Sequence, residues 1–226
     1  MTADFGDYGS LPVEEAVRAA RATSRRRQVL DAAVTVMGKT GFHQMSMQDL
    51  ATEANVSVGL IYKYFGGKED LLLATIVRIL DVFRDQLAPV MESAGADVVD
   101  QLAAGIRRYI EIVDENLDAV VLTYRESRTL AAEGRTQIKE LEIGTAAPLR
   151  GVIEAGIAQG VFRGVDVDLT VCDIMLLAHG WALKNWHFGP SYTVDEYIAL
   201  QTHHVLNSLV AEGRRAEYAH LLGGGS

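Results

Sequence analysis

A single cysteine, Cys172, leaves the 226-residue chain with no means of forming a disulfide within itself. Set among apolar neighbours, it reads as a small buried hydrophobe. No apolar run reaches the roughly 18 residues that span a bilayer, and Cys172–Leu183 is interrupted by Asp173 and His179. The first residues carry Asp4 and Asp7 where an export signal would carry basic side chains. These absences set the expectation of a cytoplasmic protein with no membrane partner. The chain also lacks a P-loop, a GxGxxG, a GxSxG and a HExxH. His203 and His204 are adjacent and diverge around a helix, and His179 and His187 are not joined by a Cys or acid constellation. No catalytic residue, metal or cofactor is therefore expected. Strand-like alternation is missing too, so the fold class reads as all-α.

What is present is 49% hydrophobic and 23% charged, an ordinary globular balance with enough length for a substantial core. The net charge of −9 is unevenly spread. Between Arg18 and Lys68 eight basic residues face three acids (Asp31, Asp49, Glu53), which makes that stretch +5 and the rest −14. A basic end on an acidic body suits a protein that touches a polyphosphate with one part only, although a solvated basic face would look the same.

Residues 1–11 are Gly- and Asp-rich and read as disordered. A short helical extension, Val13–Ala22, precedes a helix capped at Ser24 and ended by Gly41. Ser46 followed by Asp49 approximates a capping box, Asn55 suits a left-handed turn, and Ser57 can cap a third helix, Val58–Phe65. Two short helices across a three-residue turn are helix-turn-helix geometry. Gly66-Gly67 breaks the chain, and Lys68 opens a long helix ending near Pro89. Further helices are expected at about 97–114, 118–132, 135–159, 167–187 and 194–212, with Gly134, Gly160, Gly164 and Gly189-Pro190 as punctuation. The implied domains are 1–23, an extension; 24–67, a three-helix domain carrying the helix-turn-helix; and 68–221, a larger helical domain.

The segment SMQDLATEANVSVGLIYKYFGGKEDLL, residues 46–72, resembles the DNA-binding signature of the TetR family of transcriptional regulators. Asp49, Leu50, Ala51, Ala54, Val56, Ser57, Gly59, Ile61, Tyr62, Tyr64, Phe65, Lys68, Glu69 and Leu71 carry the likeness. Lys63 and Tyr64 stand where the family often has an aromatic and a histidine. The chemistry fits a recognition helix. Gly59 would let the backbone approach DNA, with Val58 beside it on the same turn, and Tyr62 and Lys63 would enter the major groove. Tyr64, Lys68, Ser46 and Ser57 would hold flanking phosphates. Arg25, Arg26 and Arg27 are either phosphate contacts or solvent-facing charge. Leu50, Ala54, Leu60, Ile61 and Phe65 would form the core beneath.

The resemblance further implies a palindromic double-stranded DNA operator, a homodimer and a small-molecule effector. The last helix aligns Ile198, Val205 and Leu209 beside Leu206 and Val210, a dimerisation-type face, and the helix before it is apolar nearly all round. Candidate effector contacts are Tyr109, Val113, Tyr124, Arg125, Arg128, Ile157 and Trp181, each of which is also a reasonable core or surface residue. Tyr124–Leu130, Gly156–Phe162 and Trp181–Trp186 look similar to members that sense acyl-coenzyme A thioesters, though an aromatic acid or a drug would suit the same pocket. The alternatives are a constitutive DNA-binding dimer, favoured by a core without a cavity, and an enzyme on a helical scaffold, which needs converging titratable groups.

Overall fold

The computed structural model describes residues 13–222. Among them helix dominates, with one isolated bridge pairing Phe162 and Val210. Residues 1–11, expected to lack order, lie outside the described residues. Helix α1 (Val13–Thr40) runs unbroken through Ser24. No Gly or Pro lies between Val13 and Met37 to stop it, and a serine alone does not. The separate extension and the Ser24 cap are thus corrected to one helix.

Helices α2 (Met47–Glu53) and α3 (Val58–Phe65) have the termini that their sequences suggest. Ser46 Oγ accepts from Asp49 N at 3.0 Å, and the Asp49 carboxylate accepts from Ser46 N at 3.3 Å, which closes the capping box. Asn55 sits at φ 48°, in the left-handed region, and Ser57 Oγ accepts from Leu60 N at 3.2 Å. Gly66, at φ 73°, ends α3. Val29, Leu30, Ala33 and Met37 of α1 share a core with Leu50, Ala54, Ile61 and Phe65. Leu60 is only half-buried, a correction to its expected core role. It lies in a surface groove because the helix turns Ile61 and Phe65 inward instead. Gln28 Nε2 donates to Ala54 O at 2.8 Å and ties α1 to the end of α2.

The chain divides into two compact units between Leu72 and Leu73, inside α4 (Lys68–Ser93). This helix continues past Pro89, where the sequence suggests an end. A proline removes one backbone donor. Here the flanking Leu87 and Met91 are both buried, and Met91 Sδ packs so close to Gly105 that a Cβ there would meet it at 2.8 Å. Packing outweighs the lost bond.

The second unit contains α5 (Val98–Glu115), α6 (Leu117–Glu126), a 3-10 turn (Ser127–Thr129), α7 (Ala132–Ala158), α8 (Val167–Leu183), α9 (Asn185–Phe188), α10 (Val194–Leu209) and a 3-10 segment (Glu212–Tyr218). Helix α5 is the hub against which α7, α8 and α10 pack. It buries Val99, Leu102, Ile106, Tyr109, Ile110, Ile112 and Val113, each contributing about 1.5–3 kcal/mol of apolar burial. Helix α6 ends sooner than its pattern suggests. Thr129 Oγ1 donates to Glu126 O at 2.7 Å, and Leu130 turns extended to enter the core. Gly134 lies inside α7 rather than punctuating it, in contact with Leu73 and Leu130, while Gly160 (φ 66°) follows the end of α7.

Two expectations about the last helices are corrected. Ile198, Val205, Leu206, Leu209 and Val210 are buried within the protomer, because α10 uses this stripe to pack on α5 and α8. The apolar residues left exposed are Leu200 on α10 and Leu169 and Leu176 on α8. Cys172 is exposed rather than buried, since α8 turns Val171, Ile174, Met175 and Ala178 into the core instead.

Candidate DNA-binding face and effector cleft

In the first unit, helix α3 displays Gly59, Tyr62 and Lys63 to solvent, with Val58 and Tyr64 half-buried. Tyr62 is 50% exposed, a large outlay of apolar ring with no core function. Gly59 has nothing within 4 Å of where a Cβ would stand and a φ outside the left-handed region. The fold therefore does not require glycine at this position. Around the start of α3 runs an open polar groove lined by Arg25, Gln48, Thr52, Asn55, Ser57 and Leu60. Gln48 and Thr52 were not singled out by their sequence, although their four-residue spacing on a short amphipathic helix places them on one exposed face.

The remaining candidates on this face are committed to different degrees. The Ser46 hydroxyl donates to Asp49 Oδ2 at 2.6 Å, which occupies its proton. Ser57 Oγ accepts from the backbone and keeps its proton for an outside acceptor. Lys68 Nζ donates to His43 O at 2.9 Å and lies 4.9 Å from the Phe42 ring centroid, so it braces the loop before α2. Arg26 stacks over Phe65 at 5.2 Å, and Arg25 borders the groove.

In the second unit, α7 and α8 enclose a cleft of about 340 Å³ lined by Ile143, Ala146, Val171, Met175 and Leu176, with Lys139, Arg150 and Asp168 at its polar margin. Arg150 is paired with Asp168. Lys139 is exposed and has no ion-pair partner among the described residues. Behind the cleft lies a chamber of about 40 Å³ walled by Ile79, Leu80, Phe83, Tyr109, Val120 and Ile138. Tyr124, Glu142 and His179 line both spaces. His179 is buried, with Nδ1 2.8 Å from Tyr124 Oη and Nε2 3.2 Å from Tyr109 Oη. Burial lowers its pKa from 6.5 to about 4 and holds it neutral. Burial also raises the pKa of Tyr124 and of Glu142 above their ordinary values.

Of the seven candidate effector contacts, this site brings together only Tyr109 and Tyr124. Val113 is sealed in the core. Trp181 is buried, donates Nε1–H to Asp114 Oδ1 at 2.7 Å and packs on Tyr197. Arg125 donates to Glu126 at 2.8 Å, Arg128 is exposed, and Ile157 is half-buried; all three lie outside the two spaces. The cleft is bordered instead by His179, Glu142 and Lys139, which were not singled out by their sequence. A polar residue on the apolar face of α8 was the available signal for His179.

Among the described residues no helix is long and apolar enough to cross a membrane, and no group of His, Cys, Asp and Glu is placed to hold a metal ion. Residues 29–75 match the family described as "Bacterial regulatory proteins, tetR family", and residues 95–187 match "Tetracyclin repressor-like, C-terminal domain". The chain is 35% identical over 174 residues to the HTH-type transcriptional regulator HbdR of Aromatoleum sp. (strain CIB), covering 77% of this chain and 76% of that protein. It is 31% identical over 144 residues to the fatty acid metabolism regulator protein of Bacillus subtilis (strain 168), covering 63% and 73%. A solved structure of the transcriptional regulator FadR from Bacillus subtilis in complex with stearoyl-CoA matches with a TM-score of 0.66 at 25% identity, over 88% of this chain and 99% of that one. With both halves matched and relatives that are themselves transcriptional regulators, the chain belongs to the TetR family of DNA-binding transcriptional regulators.

Proposed function

We propose that this regulator is a cytoplasmic homodimeric repressor that grips a palindromic operator through α2 and α3 and is released by an acyl-CoA thioester entering the cleft between α7 and α8. The observation that carries the effector reading is the cleft itself, a largely apolar space that shares Tyr124, Glu142 and His179 with a small chamber lined by core residues. Lys139 at its margin is a cation without an internal partner, suited to the phosphates of coenzyme A. The stearoyl-CoA complex of FadR supports the same ligand class. A cavity of this size also speaks against a constitutive dimer whose second unit only packs.

For operator binding, Gly59 admits the backbone of α3 to the groove, Tyr62 and Lys63 read it, and Arg25, Gln48, Ser57 and Tyr64 meet its flanks. Leu169 and Leu200, left exposed by the protomer, supply apolar surface for the second copy. Two recognition helices in successive major grooves stand about 34–36 Å apart. The inner chamber is walled by Ile79, Leu80 and Phe83 of α4, whose first turn belongs to the DNA-binding unit. A ligand that favours one position of α4 shifts the dimer away from the operator-binding state by its differential affinity.

Operator fragments selected from random DNA, followed by fluorescence anisotropy with and without acyl-CoA, test the reading. Release at constant dimer mass supports it. Operator binding unchanged by every acyl-CoA, aromatic acid and drug-like ligand tried would leave the constitutive alternative standing.

A further inference from the structure

The side chains shared by the two spaces are polar, although neither space needs them to be. Tyr124, Glu142 and His179 border both. His179 has nothing left to offer a ligand. A neutral imidazole has one donor and one acceptor, and the two tyrosine hydroxyls occupy both nitrogens. Glu142 differs. It is half-buried on α7, and no described residue hydrogen-bonds its carboxyl. Burial has already weakened its hold on the charged form. Covering a half-buried carboxyl that has no protein partner is costly. That cost is relieved when a bound molecule brings a hydrogen-bond donor to it.

The inner chamber sets a second limit. Its volume of about 40 Å³ is room for roughly three water-sized atoms, since a single water needs about 10–15 Å³. Only a short chain end fits in that chamber.

We infer that Glu142 and Tyr124 form a subsite for a hydroxyl group on a short acyl chain, so that the effector is a short hydroxyacyl-CoA rather than a long saturated one. This rests on the acyl-CoA reading of the cleft. The ligand hydroxyl donates to the Glu142 carboxyl, and the Tyr124 hydroxyl, which borders the same spaces, shares that contact. An unsubstituted chain of the same length leaves Glu142 desolvated and unpaired, which is the asymmetry by which a polar site rejects an apolar analogue.

Isothermal titration of the full-length dimer with β-hydroxybutyryl-CoA, butyryl-CoA, stearoyl-CoA and coenzyme A alone decides the matter. The hydroxylated ligand should bind at least about tenfold more tightly than butyryl-CoA, and stearoyl-CoA more weakly than either. In Glu142→Leu the preference should collapse to within about twofold while butyryl-CoA binding holds or improves. Glu142→Gln, which keeps an acceptor oxygen, should retain most of the preference and so exclude damage to the fold as the cause. Equal binding of the two short ligands, or tightest binding of stearoyl-CoA, overturns the inference and leaves the acyl-CoA reading intact. No binding beyond that of coenzyme A alone overturns that reading and the inference with it.

Discussion

Tyr124 Oη lies 2.8 Å from His179 Nδ1, and through this contact a phenol on α6 holds a buried imidazole on α8. The other ring nitrogen reaches Tyr109 on α5, which in turn packs on Phe83 of α4 with ring centroids 4.4 Å apart. Four helices of the regulatory unit thus meet at one neutral histidine.

That arrangement predicts an acid-sensitive fold. The histidine pKa is lowered from 6.5 to about 4 on folding, so the unfolded chain takes up the proton first as pH falls. Its stabilising contribution is complete above pH 6.5 and is lost as pH falls toward 4. The loss runs at about 1.4 kcal/mol per pH unit, roughly 3 kcal/mol in all. Urea unfolding measured between pH 7 and 4.5 should show this slope on top of the ordinary carboxylate titrations. His179→Phe should be less stable at pH 7, having taken the histidine partner from the buried Tyr109 hydroxyl, yet show a shallower decline. An equal slope in the variant would mean that His179 titrates normally.

Gly156 is a second packing constraint, located where α7 meets the segment leading to α8. A Cβ at this position would stand 2.1 Å from Phe162 Cδ2, and that ring is itself buried beside the Phe162–Val210 bridge. Gly156→Ala should therefore cost about 1–3 kcal/mol by overpacking, despite the gain in helix propensity. A thermal melt showing equal or higher stability would refute the close approach.

The DNA-binding half was legible in the sequence because its determinants are local. Ser46 with Asp49, Asn55, Ser57 and Gly66 act within a few residues of themselves, so the caps and turns followed from residue type. The regulatory half was less so. Whether α4 passes Pro89, whether Gly134 breaks α7, and whether the α10 stripe faces its own core depend on which helix lies opposite. Periodicity shows that α10 has an apolar face but not what covers it. The cleft was the least legible part. Trp181 and Val113 have the residue types of a ligand pocket and lie in the core, while His179 and Glu142 come to line the cleft only when α5, α6, α7 and α8 converge.

Lys63 and Lys68 should separate in experiment. Lys63 is exposed on α3, whereas Lys68 is half-buried and bonded to His43 O. Lys63→Ala should weaken operator binding and lower the slope of log affinity against log salt by about 1 if it meets a phosphate, with no change in melting temperature. Lys68→Ala should lower the melting temperature through the lost loop contact, and should weaken binding to all sequences alike. Anisotropy titrations across a salt series, paired with melts, distinguish the two. Unchanged affinity in both variants would remove this face from the DNA.

Gly59 offers the cleanest division between fold and function. A Cβ there meets nothing within 4 Å, and the residue lies inside α3 without a left-handed φ. Gly59→Ala should therefore stabilise the free protein by about 0.5–1 kcal/mol, because alanine loses less backbone entropy in a helix. If the helix backbone approaches DNA at this point, the same methyl group must collide with a base edge or sugar. Operator affinity should then fall at least about tenfold while the melting temperature rises. A variant that is both more stable and equally tight on DNA would show that α3 does not dock through its first turn. One that is less stable would show that glycine is needed by the fold, and would assign Gly59 a structural role.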